Sequence, residues 1–265
     1  MNSHEIDFQI FGEEMQYVEI ELDPYETVIA EAGSFMMMDS EIKMATIFGD
    51  GSHQESKGGI WDKVLTAGKR LLTGESLFLT AFTHGGTGKK RVSFASPYPG
   101  KIIPLDLSKF EGKIVCQKDA FLCAAKGVHV GIEFSQKLGR GLFGGEGFIM
   151  QKLEGDGMAF VHAGGHVTKK ELALGEALLV DTGCLVALTR DVHYDIEMVK
   201  GVRNIFFGGE GLFYARLEGP GTVWIQTLPF SRLAQRIFSA APQTGGGGKD
   251  EGSILGGLGN LLDGR

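Results

Sequence analysis

No run of this sequence approaches the roughly 20 apolar residues that carry a helix across a bilayer, so a helical membrane span is excluded. The opening residues, MNSHEIDFQIFGEEMQ, lack the basic and apolar regions of a signal peptide and the arginines of a transit peptide. A soluble, cytoplasmic protein is therefore expected. Cysteine is scarce: Cys116, Cys123 and Cys184 are odd in number, lie in apolar runs and form no C-x-x-C pair. That argues against a disulfide framework and for reduced thiols packed as small core residues. Basic clusters are short, the densest being Lys89-Lys90-Arg91 and Lys169-Lys170, and the net charge is −7. A nucleic-acid backbone needs lysine and arginine gathered on one face, so no nucleic-acid partner is expected. Proline is also rare (7 of 265), and no G-x-y period is present, which excludes collagen.

Glycine is abundant instead, at 41 residues against a usual share of about 7%. Its places are not random. Phe143 to Gly157 reads FGGEGFIMQKLEGDG and Phe207 to Gly221 reads FGGEGLFYARLEGPG; they align without a gap at an offset of 64, with 9 of 15 positions identical. A weaker third copy starts at Gly74-Glu75-Ser76. Each copy has an apolar stretch upstream: EAGSFMMMDS from Glu31, KDAFLCAAKG from Lys118 and DTGCLVALTR from Asp181. Internal repetition of this kind marks an architecture of stacked units.

The units read as strands. Val92 to Ala95 and Val192 to Met198 alternate with period two, and the segments are short, apolar and bounded by glycine. Gly155-Asp156-Gly157 and Gly219-Pro220-Gly221 resemble hairpin connections, and the proline favours a type I or II turn. A helical insertion is expected at about 57–72, where Ile60, Trp61, Val64, Leu65, Leu71 and Leu72 share one face. A short helix is expected after Pro229, capped by Ser231. Residues 1–240 then form a repeated β core, with repeats at roughly 8–110, 111–175 and 176–229. Residues 241–265 form a Gly-rich flexible tail.

The series GESLFLT, PGKIIPLDL, QKDAF, GLFGGEGFIMQKLEGDG, VDTG and FFGGEGLF, followed by GPGTVWIQTLP, resembles a family of prokaryotic proteins related to the fungal mitochondrial-biogenesis family named for altered inheritance of mitochondria. The resemblance runs from about Phe8 to Pro229. It implies a mainly β fold of about three repeats, each a short double-stranded β-helix like the tryptophan RNA-binding attenuation protein, and a tendency to form rings or other homo-oligomers. The family carries no established catalytic residues, so none transfer to this chain.

Candidate chemistry is thin. Glu75, Glu146 and Glu210 recur with the repeat and could gather three carboxylates around a cation. The favoured reading is structural, each glutamate accepting backbone N–H bonds at a strand entry. Glu146→Gln is then expected to cost little, and Glu146→Ala about 1–3 kcal/mol. A thermal shift with Ca²⁺ or Mg²⁺ that disappears in Glu146→Gln would establish the cation site instead. The FGGEG runs lead into strands with no lysine or hydroxyl behind them, unlike a phosphate loop. His162 and His166 invite a metal reading, yet four residues of strand span ~13 Å, too far for one ion unless Gly164-Gly165 bend the chain. Cys184 is read as core rather than nucleophile, and Met36-Met37-Met38 as core rather than binding face.

The residues thus point to a non-enzymatic oligomeric scaffold or interaction protein without cofactor, with at most peripheral membrane contact. The rival reading is a cupin-like small-molecule-binding protein or metal-dependent enzyme built around His162, His166 or His193.

Overall fold

In Tyr17 to Leu22, alternation buries Val18, Ile20 and Leu22 and leaves Tyr17, Glu19 and Glu21 half covered, the signature of a strand with one face in the core. The computed structural model describes residues 3–31, 33–48, 78–136, 148–198 and 213–241, and strands dominate them. After a leading strand β1 (Asp7–Phe11), the chain runs through three groups of six. The first holds β2 (Tyr17–Leu22), β3 (Thr27–Glu31), β4 (Phe35–Met38), β5 (Ile42–Phe48), β6 (Phe78–His84) and β7 (Lys90–Ala95). The second holds β8 (Gly100–Asp106), β9 (Lys113–Gln117), β10 (Phe121–Ala125), β11 (His129–Gln136), β12 (Phe148–Glu154) and β13 (Met158–Gly164). The third holds β14 (Val167–Leu172), β15 (Ala177–Asp181), β16 (Leu185–Thr189), β17 (His193–Met198), β18 (Phe213–Glu218) and β19 (Gly221–Gln226), and one α-helix, α1 (Phe230–Ala240), follows.

Every group pairs its strands alike, always antiparallel. First with last gives β2–β7, β8–β13 and β14–β19. Third with last gives β4–β7, β10–β13 and β16–β19, each with a register shift, at Phe35/Met37, Phe121/Cys123 and Leu185/Ala187. Second with fifth and fourth with fifth recur in the same way. The FGGEG residues and the insertion at 57–72 lie outside the described residues, but β12 and β18, which follow the two motifs, occupy matching places.

Neighbouring groups are sewn together by one further pairing, third strand against the previous group's second: β10 on β3 and β16 on β9. Two six-stranded sheets result, ordered β5-β6-β3-β10-β13-β8 and β11-β12-β9-β16-β19-β14. At the ends stand a four-stranded sheet, β1-β2-β7-β4, and a three-stranded one, β15-β18-β17. The seam strands β10 and β16 have continuous apolar sequences, FLCAA and LVALT, and all but Thr189 are buried. Strands covered on both faces read this way. Three apolar clusters fill the interior, with Val18, Phe82 and Phe94 in the first, Leu105, Ile114 and Leu153 in the second, and Phe148, Leu185 and Leu217 in the third.

The glycine turns are not hairpins. Gly155-Asp156-Gly157 carries the chain from β12 in one six-stranded sheet to β13 in the other, and Gly219-Pro220-Gly221 carries it from β18 to β19, again between sheets. The Gly219–Pro220 peptide is cis, so that turn is neither type I nor type II. Its glycine answers a close approach: a Cβ on Gly219 would press on the Ala173 carbonyl and stand 2.7 Å from the Leu172 Cβ. Gly219→Ala is expected to cost about 1–3 kcal/mol in urea denaturation. Gly85→Ala, whose Cβ would meet nothing within 4 Å, should change stability by less than ~0.5 kcal/mol.

Helix α1 starts one residue before the expected cap. Pro229 occupies the N-cap position and no side chain caps the helix, so Ser231 lies inside its first turn. Among the described residues, no helix is long and apolar enough to cross a membrane.

Candidate functional site

The two histidines do not converge. His162 lies on β13 opposite Ile102 and is buried, while His166 is exposed beyond the Gly164-Gly165 bend. The His162 ring stands perpendicular to Tyr98, centroids 4.4 Å apart, and neither ring nitrogen has a hydrogen-bond partner. Desolvation by burial holds its pKa down at about 4. The next group explains the isolation. Gln226, 64 residues on, accepts at Oε1 from the Gly164 N–H (2.7 Å) and donates from Nε2 to the Gly183 carbonyl (2.8 Å). Val167 pairs with Gln226 as Ile102 pairs with His162, so the position matching Gly164 is Pro99, which has no N–H to give.

His193 is exposed on β17. Among the described residues, no three His, Cys, Asp or Glu side chains are grouped to hold a metal. Glu75, Glu146 and Glu210 lie outside the described residues. Cys116 and Cys123 are buried, and desolvation pushes both thiols far up, the reverse of what a nucleophile needs. Cys184 is half-buried beside Arg232, and its thiol is also pushed up, first by desolvation.

Two strand edges hold more information. Strand β4 occupies in the first group the place of β10 and β16, yet its outer edge has no partner among the described residues. Phe35, Met36 and Met37 are 40%, 48% and 44% exposed. Of the methionine run expected in the core, Met36 and Met37 are thus on the surface, and only Met38 packs against the core. At the other end, β15 matches β3 and β9 but among the described residues pairs only with β18, and Leu179 is 60% exposed. Exposed edges are usually blunted by lysine, proline or inward charge; FMMM and ALLVD contain no lysine or proline. Asp181, closing β15, caps the Gly183 N–H at 2.9 Å and lies 3.7 Å from Arg232.

The sequence held the signal for β4 in the three aligned apolar stretches EAGSFMMMDS, KDAFLCAAKG and DTGCLVALTR. Only the sheet order reveals that the first lacks a neighbour among the described residues. The edge of β15 had no separate sequence signal.

Comparison with known proteins adds a family and a fold. The model of the family described as mitochondrial biogenesis AIM24 matches residues 8–228. An uncharacterised protein of Streptococcus pyogenes serotype M6 is 30% identical over 228 residues, covering 85% of this chain and 86% of its own. The crystal structure of a protein from Streptococcus pyogenes superposes with a TM-score of 0.68 at 24% identity, over 89% of this chain and 100% of that one. At that identity the likeness shows the fold alone.

Proposed function

Since the chain belongs to the mitochondrial biogenesis AIM24 family, we propose that it works as a non-enzymatic, homo-oligomeric β scaffold of the cytoplasm, its copies joined head to tail. One observation carries the reading. The sheet β17-β18-β15 and the strands β4-β7-β2 are the two halves of the six-stranded sheet that occurs twice within the chain. Placing β15 of one copy on β4 of the next completes a third such sheet and covers both apolar edges. A head-to-tail contact of this kind closes into a ring when its rotation allows. The unpaired thiols support a reducing compartment.

The internal seams suggest the register of the proposed pairing. Cys123 faces Ala30 and Ala124 faces Ile29; 64 residues on, Ala187 faces Cys116 and Leu188 faces Val115. Met37 follows its bulge as Cys123 and Ala187 follow theirs, and Val180 stands 64 residues after Cys116. Met37 then faces Val180 of the next copy, and Met38 faces Leu179. Directly opposed residues of antiparallel strands have Cα atoms ~4.5–5.5 Å apart, within the span that a disulfide bridges. A chain carrying Met38→Cys with Leu179→Cys should give a ladder of covalent oligomers under mild oxidation. A product of single-chain mass only would refute the pairing.

A further inference from the structure

Helix α1 places Phe230, Leu233, Ala234, Ile237 and Phe238 on one face, and Arg232, Gln235, Arg236 and Ser239 away from it. An apolar stripe at this spacing ordinarily lies against a core. Here none of its residues is buried, and Phe230, Ile237 and Phe238 are 52%, 63% and 82% exposed. Its root is nevertheless fixed. Pro229 is buried, and a Cβ on Gly183 would stand 3.3 Å from it. Phe230 rests on Tyr98 at 5.4 Å between centroids. The Arg232 guanidinium reaches the Asp181 carboxylate at 3.7 Å and the Cys184 Sγ at 3.8 Å.

Asp181 is the last residue of β15, so the first turn of α1 stands at one end of the open edge. In the register set by the internal seams, Val180 faces Met37 of the next copy, and the antiparallel strands bring Met36 and Phe35 of that copy level with Asp181. Both are exposed apolar residues of β4. From the head-to-tail reading, on which it rests, we infer that α1 is a clasp: its apolar stripe packs on Phe35 and Met36 of the following copy. Eleven residues of helix extend about 16 Å, enough to cover both side chains. A second copy is favoured over other occupants because the seam geometry delivers a matching apolar patch to the helix.

Cross-linking tests the clasp on the full-length chain in a Cys184→Ser background. Chains carrying Phe238→Cys are co-expressed with chains carrying Met36→Cys and treated with a short bis-maleimide. A covalent dimer from the mixture, absent with either variant alone, is the expected result. Ile237→Asp with Phe238→Asp, both on exposed side chains, should weaken assembly by at least about tenfold, as loss of a buried aromatic would. No mixed dimer, while Met38→Cys with Leu179→Cys still gives its ladder, would overturn the clasp and leave the edge pairing standing. Loss of that ladder as well would remove both. A mixed dimer that forms only after deletion of residues 243–265 would assign the stripe to the chain's own tail. Co-sedimentation with phosphatidylglycerol vesicles, abolished by the double aspartate variant and accompanied by no mixed dimer, would assign it to a lipid surface; either result overturns the clasp.

Discussion

Replacing Met37 and Leu179 by lysine is expected to release the proposed head-to-tail assembly as single folded chains. Both side chains are exposed in the isolated chain, at 44% and 60%, so the fold of each copy should survive. In the completed sheet both would be covered, and Leu179 would face Met38. Two lysines there remove apolar burial worth about 1.5–3 kcal/mol per side chain and place like charges along an edge that must pair. A loss of about 3 kcal/mol or more corresponds to at least roughly a hundredfold weaker association. Sedimentation velocity over a range of protein concentrations reads this directly. Met44→Lys supplies the control: Met44 is 49% exposed on β5, an edge strand outside the proposed seam, and should leave assembly intact. If the double-lysine chain sediments like the unmodified protein, the seam is elsewhere.

Acid should destabilise the fold through His162. Its folded pKa of about 4 lies below the ordinary value of 6.5 because the ring is desolvated, so the unfolded chain takes up a proton before the native one does. Stability is complete above pH 6.5 and is lost as pH falls toward 4. At ~1.4 kcal/mol for each unit, the group accounts for about 3 kcal/mol over that window. The imidazole is 2% exposed, so solvent screens it little. His4, also held down chiefly by desolvation, acts in the same direction. His162→Gln installs the uncharged residue found at the matching position 226 and should flatten the acid limb. Urea denaturation at pH 7, 5 and 4, at one protein concentration, should show the two proteins diverging steadily below pH 6.5. Parallel curves would mean that His162 takes up its proton in the folded state at an ordinary pH.

The β character of the fold was legible because burial writes directly into sequence. Alternation in YVEIEL and continuous apolar runs in FLCAA and LVALT follow from strands covered on one face or on both. The gapless offset of 64 carried through to matching strands. Which strand pairs with which was not legible, since pairing between groups leaves no local pattern. The two glycine turns consequently read as hairpins although they cross between sheets, and Met36-Met37-Met38 read as core although Met36 and Met37 lie exposed on an edge strand. The histidine pair illustrates the same limit. Sequence spacing placed His162 and His166 on one stretch of chain, but only the fold puts the first inside, against the Tyr98 ring, and the second outside.

Native mass spectrometry of the unmodified full-length chain tests the central claim most directly. Pairing of β15 with β4 in successive copies predicts one discrete species whose mass is a whole multiple of the chain, persisting on dilution to low micromolar concentration. The mass of a single chain at every concentration would contradict it.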